Sequence, residues 1–159
     1  MLIGNTALER ICGIYAKIES TNPTGSMKDR FIFYWLEHME ATERIKKGDT
    51  IIEATSGNTG ISLSYFGRLR GYNVDIVMPE DMSDERKERI LKHRAKLIEC
   101  GAGDFELAIS IRDDKIRNFG YRSPLQFSNY LNVKAHYLTT GQEIVDQFNE
   151  INPKIKIKE

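Results

Sequence analysis

Between Thr50 and Gly120 the chain repeats one pattern three times, and that pattern restricts its fold more than any other feature. Thr50-Ile51-Ile52-Glu53-Ala54 precedes a helix that stops at Gly71. Val74 to Met78 precedes a highly charged helix that Ser83 caps and that runs to about Arg94. Lys96 to Cys100 precedes a helix that Asp104 begins and that ends near Gly120. A strand followed by a short connection and a helix can return to its sheet only by a crossover, which lays the next strand parallel to the first. The repetition therefore predicts βαβ units, an α/β fold in which helices cover a parallel sheet.

The flanks are less regular. Gly4 and Asn5 make an opening turn, Ile14 to Glu19 alternates as a strand, and Asn22-Pro23-Thr24-Gly25 forms a tight connection. Ser26 then reads as an N-cap with Asp29 as its capping-box acid, opening a helix that carries the apolar and aromatic residues from Phe31 to Met39; Gly48 and Asp49 end that region. Beyond the repeats, Pro124-Leu125-Gln126-Phe127 is a loop or an edge strand, and a helix starts around Thr139 to Gly141. The tail Lys154 to Glu159 alternates like a strand. A parallel strand normally leads on to another crossover, so this ending reads as truncation or as a place for a second chain, with a frayed charged terminus as the alternative.

With 23 Lys and Arg against 23 Asp and Glu in 159 residues, the formal charge is zero, and 40% of residues are hydrophobic, enough for one compact domain. Balanced charge offers no general attraction to nucleic acid or anionic membranes. No apolar run reaches the roughly 20 residues of a membrane helix, and the opening residues lack a signal-peptide pattern, so the expected location is cytoplasmic. Cys12 and Cys100 form no CxxC unit and are expected to be buried thiols. His38, His93 and His136 have no metal-ligand spacing and take surface or packing roles. The mixed-charge run Glu80 to Arg89 reads as a solvated helix face, and Phe31, Phe33, Tyr34 and Trp35 read as core or interface. Gly101-x-Gly103 lacks the third glycine of a dinucleotide fingerprint, and no phosphate-binding G-x-x-x-x-G-K-S/T stretch occurs.

Chemistry concentrates in two places. In Asn22-Pro23-Thr24-Gly25-Ser26-Met27-Lys28-Asp29-Arg30 an amine falls in the first turn of a helix, where the dipole disfavours an ammonium. Lys28 therefore either faces solvent or points into a site where its amine is consumed by a carbonyl group, since a free lysine of pKa about 10.4 is a poor nucleophile. Asp29 and Arg30 fit capping and a surface or internal ion pair. The second place is Thr55-Ser56-Gly57-Asn58-Thr59-Gly60. There a strand runs into a helix start whose N–H groups make an anion cradle, with the hydroxyls of Ser56 and Thr59 and the amide of Asn58 beside it. The same residue types also serve plain turns and caps.

Together these stretches resemble the amino-terminal half of a cysteine synthase, or O-acetylserine sulfhydrylase, a fold-type II pyridoxal-phosphate-dependent enzyme. The resemblance rests on IGNTALERI, NPTGSMKDR, EATSGNTGISL, VMPEDMSDERKE and QFSNYLNVKAHYLTTGQEI. It implies Lys28 as the catalytic lysine that holds pyridoxal 5'-phosphate and Asn58 as a cofactor contact. It implies Thr55, Ser56, Gly57, Asn58, Thr59 and Gln126 as the binding site for a substrate such as O-acetylserine. The implied reaction is β-replacement, in which Lys28 removes the α-proton, acetate leaves and sulfide adds to give cysteine.

The resemblance covers nearly all of this chain but about half of an ordinary member, so the loop that grips the cofactor phosphate is missing with the second half. Thr24 also stands where the lysine motif commonly has glycine, and Gly101-Ala102-Gly103-Asp104 departs from the usual approach to the next helix. The implied organisation is a three-layer parallel-sheet small domain at 45–146, an incomplete portion of the larger fold-type II domain at 1–44 carrying the lysine motif, and a return segment at 147–159. Low or no activity is expected from the isolated chain. Completion by a homodimer or by a second chain stays open, as do a noncatalytic partner-binding module and a cystathionine beta-synthase-like fragment.

Overall fold

A computed structural model describes residues 3–154; the alternating tail, past Lys154, lies outside the described residues. The predicted α/β fold with its parallel sheet is present. β3 (Thr50–Ala54), β4 (Asn73–Pro79) and β5 (Lys96–Cys100) form it in the order β3-β4-β5, joined by α2 (Asn58–Arg70) and α3 (Asp84–Leu91). Ile51 pairs with Val74 and Ile76 with Leu97 in the parallel registers. α4 (Phe105–Phe119) follows β5, and the chain then returns beside β3, where Ile51 bridges Arg122.

Alternation along the strands divides the core. Ile51, Val74, Ile76 and Met78 face a cluster with Phe31, Trp35, Leu36, Ile61, Leu63 and Phe66, whereas Ile52, Ala54 and Val77 face Ala108 and the partly buried Ile109, Ile111 and Ile116. Helices thus lie on both faces of the sheet. Gly71 and Gly120 end α2 and α4 in the left-handed conformation, which costs a glycine little, and Asp104 caps α4 by accepting from the Leu107 N–H at 2.8 Å.

α2 crosses the sheet closely. A Cβ on Gly60 would lie 2.8 Å from Thr55 Cγ2, 3.1 Å from Ile76 Cγ2 and 3.2 Å from Ile90 Cδ1. Thr55 cannot rotate away without losing the bond its hydroxyl oxygen accepts from the Gly57 N–H at 3.1 Å. Overpacking, at about 1–3 kcal/mol, exceeds the helix propensity gained, about 1 kcal/mol. Gly60→Ala should therefore lower the urea midpoint without changing the slope.

Several segments depart from the sequence reading. The strand expected over Ile14 to Glu19 is shorter, β2 (Ile14–Lys17), and pairs with an unforeseen β1 (Leu8–Ile11) in an antiparallel hairpin. Its turn is Cys12-Gly13, both at positive φ, 50° and 85°, the tight-hairpin conformation. Cys12 is therefore exposed at a turn and only Cys100 is buried, which corrects the expectation of two buried thiols. Ser26 accepts from the Lys28 N–H at 3.3 Å, but no capping box forms at the start of α1 (Lys28–Ala41). The Asp29 carboxylate is turned instead to the Thr24 N–H, 2.7 Å, and to the Thr24 hydroxyl. Helical structure after the loop begins earlier than expected: α5 (Tyr130–His136) passes through a wide turn at Tyr137–Gly141 into α6 (Gln142–Ile151).

α6 is tied to the start of the chain by ions. The Arg30 side chain, 1% exposed, meets Glu19 at 2.7 Å and Glu143 at 2.7 Å, and Lys17 meets Glu143 at 2.7 Å. Of the two roles left open for Arg30, the internal ion pair is the one formed. Burial alone would raise the Glu143 carboxyl, but bonds from Arg30, Lys17 and the Asn5 N–H bring it from its ordinary 4.5 down to about 2. A carboxyl lowered on folding adds stability above its unfolded range and gives it up as pH falls through the folded value. Stability should thus decline from pH 4.5 toward 2, and Glu143→Gln should flatten that acid limb in pH-dependent urea unfolding.

Candidate functional site

The site forms where β3 ends. After Ala54 the chain turns through Thr55, Ser56 and Gly57 into α2, whose first intrahelical bond is Ile61 N–H to Gly57 C=O at 2.9 Å. The N–H groups of Asn58, Thr59 and Gly60 in the turn before it are left to other acceptors and aim along the positive end of the helix. Thr55, Gly57 and Thr59 are buried, while Ser56 and Asn58 are exposed.

The lysine loop arrives from the other side. Gly25, at φ 79°, closes a turn in which its N–H bonds Asn22 C=O at 2.8 Å. Asn22 is buried, accepting from the Gly4 N–H at 2.9 Å and donating to Glu19 and to the Ser26 carbonyl. Held by Asn22 and by the Thr24–Asp29 pair, the loop sets a half-buried Lys28 at the head of α1. Lys28, Thr55, Ser56, Gly57, Asn58, Thr59 and Gln126 line one cleft of about 250 Å³. All the residues named from the sequence are thereby brought together.

Gln126 lies on the far wall and is buried. Its Nε2 donates to the Ala54 carbonyl at 3.1 Å, which fixes the carboxamide, and its Oε1 receives the Thr59 hydroxyl at 2.5 Å. The adjacent Glu53 carboxylate accepts from the Gln126 N–H at 3.2 Å and pairs with Arg112 at 3.3 Å. Burial pushes the Glu53 carboxyl up, against the pull of Arg112 and of the Ala54 and Gln126 N–H groups.

Sequence reasoning missed two lining residues, Arg86 and Phe127. Arg86 belongs to the run assigned to a wet helix face, and its guanidinium donates to the Ser56 carbonyl at 3.4 Å. A Cβ on Gly57 would come within 2.8 Å of Arg86 Cδ, so glycine makes this approach possible. One turn on, Arg89 donates to the Thr24 carbonyl at 2.6 Å, so one face of α3 reaches both loops of the cleft. Phe127, 72% exposed, follows Gln126 directly and was legible only as its neighbour. Of the histidines, His136 has Nδ1 at 2.9 Å from the Thr140 hydroxyl and a buried, unpartnered Nε2. Burial and the nearby cations Lys28 and Arg30 hold its pKa down. Among the described residues no cluster of three or more His, Cys, Asp or Glu could hold a metal, and no helix is long and apolar enough to cross a membrane.

An amine across a small cleft from an anion-binding helix start and a side-chain amide suits a cofactor that offers a carbonyl to the amine. The comparisons agree with this chemistry: the family described as pyridoxal-phosphate dependent enzyme matches residues 1–156, and the chain belongs to that family. Within it the similar proteins include cysteine synthases. The chain is 39% identical over 145 residues to cysteine synthase of Staphylococcus aureus strain Mu50, covering 91% of this chain and 47% of that protein. It is 40% identical over 158 residues to cysteine synthase B of Salmonella typhimurium, covering 89% and 50%. The crystal structure of O-ureido-L-serine synthase superposes with a TM-score of 0.86 at 36% identity, covering 93% of this chain and 49% of that one. The chain thus spans about half the length of the relatives it matches.

Proposed function

We propose that this chain contributes, in the cytoplasm, the lysine and the carboxylate cradle of a cysteine synthase. The reaction is O-acetylserine plus hydrogen sulfide to cysteine plus acetate. The observation that carries this reading is that Lys28 and the Thr55 to Thr59 bend line a single cleft. When bound, pyridoxal phosphate supplies the electron sink that makes the α-carbon of an amino acid acidic and its β-substituent a leaving group.

The residues then divide the work. The helix start of α2, with Ser56, Thr59 and Gln126, holds the substrate carboxylate, and the Asn58 amide orients the cofactor ring. Lys28 Nζ takes the α-proton and later returns it. In the net change the Cβ–O bond breaks with its electron pair leaving on acetate, a Cβ–S bond forms from sulfide, and the released proton balances the charge.

In the proposed organisation, residues 45–146 form the small domain, while 1–44 and 147–159 belong to a larger one whose remainder is polypeptide equivalent to the other half of the relatives. An exposed apolar row beside the cleft, Phe127, Tyr130, Val133 and Tyr137, each at least 62% exposed, is the face we assign to that polypeptide. The test is cysteine formation from O-acetylserine and sulfide with pyridoxal phosphate, by this chain alone and mixed with the carboxy-terminal half of a cysteine synthase. Turnover only in the mixture is expected. No turnover in either, with both chains folded and bound to each other, would overturn the assignment.

A further inference from the structure

Glu53 is wholly buried at the end of a strand, where a carboxylate is costly, and every contact it makes is with a donor. Its Oε1 accepts from the Ala54 N–H at 2.9 Å and from Arg112 at 3.3 Å; its Oε2 accepts from the Gln126 N–H at 3.2 Å and from the Ser123 hydroxyl at 3.5 Å. Three of these partners do nothing for the strand itself: two belong to the loop 123–126 and one to α4. That loop is under strain, because Leu125, immediately before Gln126, has φ 50°, a left-handed conformation that costs a leucine about 1–2 kcal/mol. Something must hold it, and the Ser123 hydroxyl serves twice, donating to Glu53 and accepting from the Leu125 N–H at 3.2 Å.

We propose that Glu53, charge-balanced by Arg112, is a positioning residue: it clamps the strained 123–126 loop so that the Gln126 carboxamide stands in one orientation in the cleft. The clamp acts at the Gln126 backbone, and the Ala54 carbonyl completes it at the side chain. This orientation presents Oε1 to the Thr59 hydroxyl, so the two side chains nearest the helix start form one preset unit. A neutral carboxamide at position 53 cannot replace the carboxylate. One of its two ends would be an NH2 set against donors, either Ala54 and Arg112 or Gln126 and Ser123. The inference rests on reading Gln126 as a carboxylate-binding residue.

The test uses the chain itself, isotope-labelled for NMR, with L-serine as the carboxylate probe. In the unliganded protein, Glu53→Gln should speed exchange of the Gln126 side-chain NH2 protons by about tenfold or more while central β4 amides stay protected. L-serine binding should weaken by about tenfold. In a Gln126→Ala background the same substitution should weaken it no further, since Glu53 acts through Gln126. Equal weakening in both backgrounds, or unchanged Gln126 exchange, would overturn the proposal. Gln126→Ala without effect on L-serine would instead overturn the site reading beneath it, and the exchange measurement would still decide whether Glu53 orients the side chain. Should Glu53→Gln not fold, Ser123→Ala removes one arm of the clamp without stranding a buried charge, and the same pair of readouts applies.

Discussion

Lys28→Ala is expected to abolish covalent capture of pyridoxal phosphate and, in the complemented enzyme, to lower cysteine formation by at least about 10³-fold. The size of the effect follows from the double duty assigned to one amine, which attaches the cofactor and carries the proton. Among the described residues no other amine lines the cleft beside the α2 helix start, where Arg86 brings a guanidinium rather than an amine. Lys28→Arg should fail for the same reason, although it keeps the charge. The measurement is intact mass after borohydride reduction, alongside turnover of O-acetylserine. A Lys28→Ala protein that still gains one cofactor mass per chain would mean that the amine lies elsewhere.

Arg30→Ala should be strongly destabilising, lowering the unfolding free energy by about 3–5 kcal/mol. The Arg30 side chain is 1% exposed and satisfies two carboxylates as a double fork, Nε and Nη2 on Glu19 at 2.7 Å each, and Nη1 and Nη2 on Glu143 at 2.7 and 2.8 Å. Removing it leaves Glu19 without a cation and Glu143 with Lys17 alone. It also removes the ion pair that ties α6 to α1, while the Asn5 N–H still holds Glu143 at the opening turn. Gly4 has no room for a side chain, since a Cβ would fall 2.6 Å from Glu143 Oε1 and 2.7 Å from Arg30 Nη1. Arg30→Lys should recover little, because one ammonium cannot match two planar carboxylates. Urea unfolding at neutral pH decides it: a loss under about 1 kcal/mol would place this network among the weak surface pairs.

The parts of this fold that could be read in advance are those fixed by local chemistry. β3 and β5 fall on the residues expected, because apolar runs between turn residues set strand limits. Gly71, Asp104 and Gly120 end or begin helices by conformational cost and capping alone. The cleft was legible at the two loops for the same reason, since an odd lysine and a Thr-Ser-Gly-Asn-Thr-Gly bend carry their chemistry in sequence. What escaped depends on distant partners. β1 is largely exposed and so shows no alternation, and its Cys12-Gly13 turn lacks the usual Asn or Asp. α5 was overlooked because its apolar residues Tyr130 and Val133 face outward, although Asn129, which caps it by accepting from the Leu131 N–H at 3.0 Å, was a usable signal. Arg86 and Arg89 look like any charged helix face until the fold lays them on the two loops. Asp29 lost its capping role to Thr24, two residues before Ser26, which offers it both a backbone and a side-chain donor.

The most direct test of the central claim is a crystal structure of the chain, with its complementing half, after borohydride reduction in the presence of pyridoxal phosphate. The expected density joins the pyridoxyl carbon to Lys28 Nζ, with the ring beside the Asn58 amide and its open edge toward the Thr55 to Thr59 helix start. A ring attached to any other amine, or attached to Lys28 but turned away from Asn58, would contradict the account.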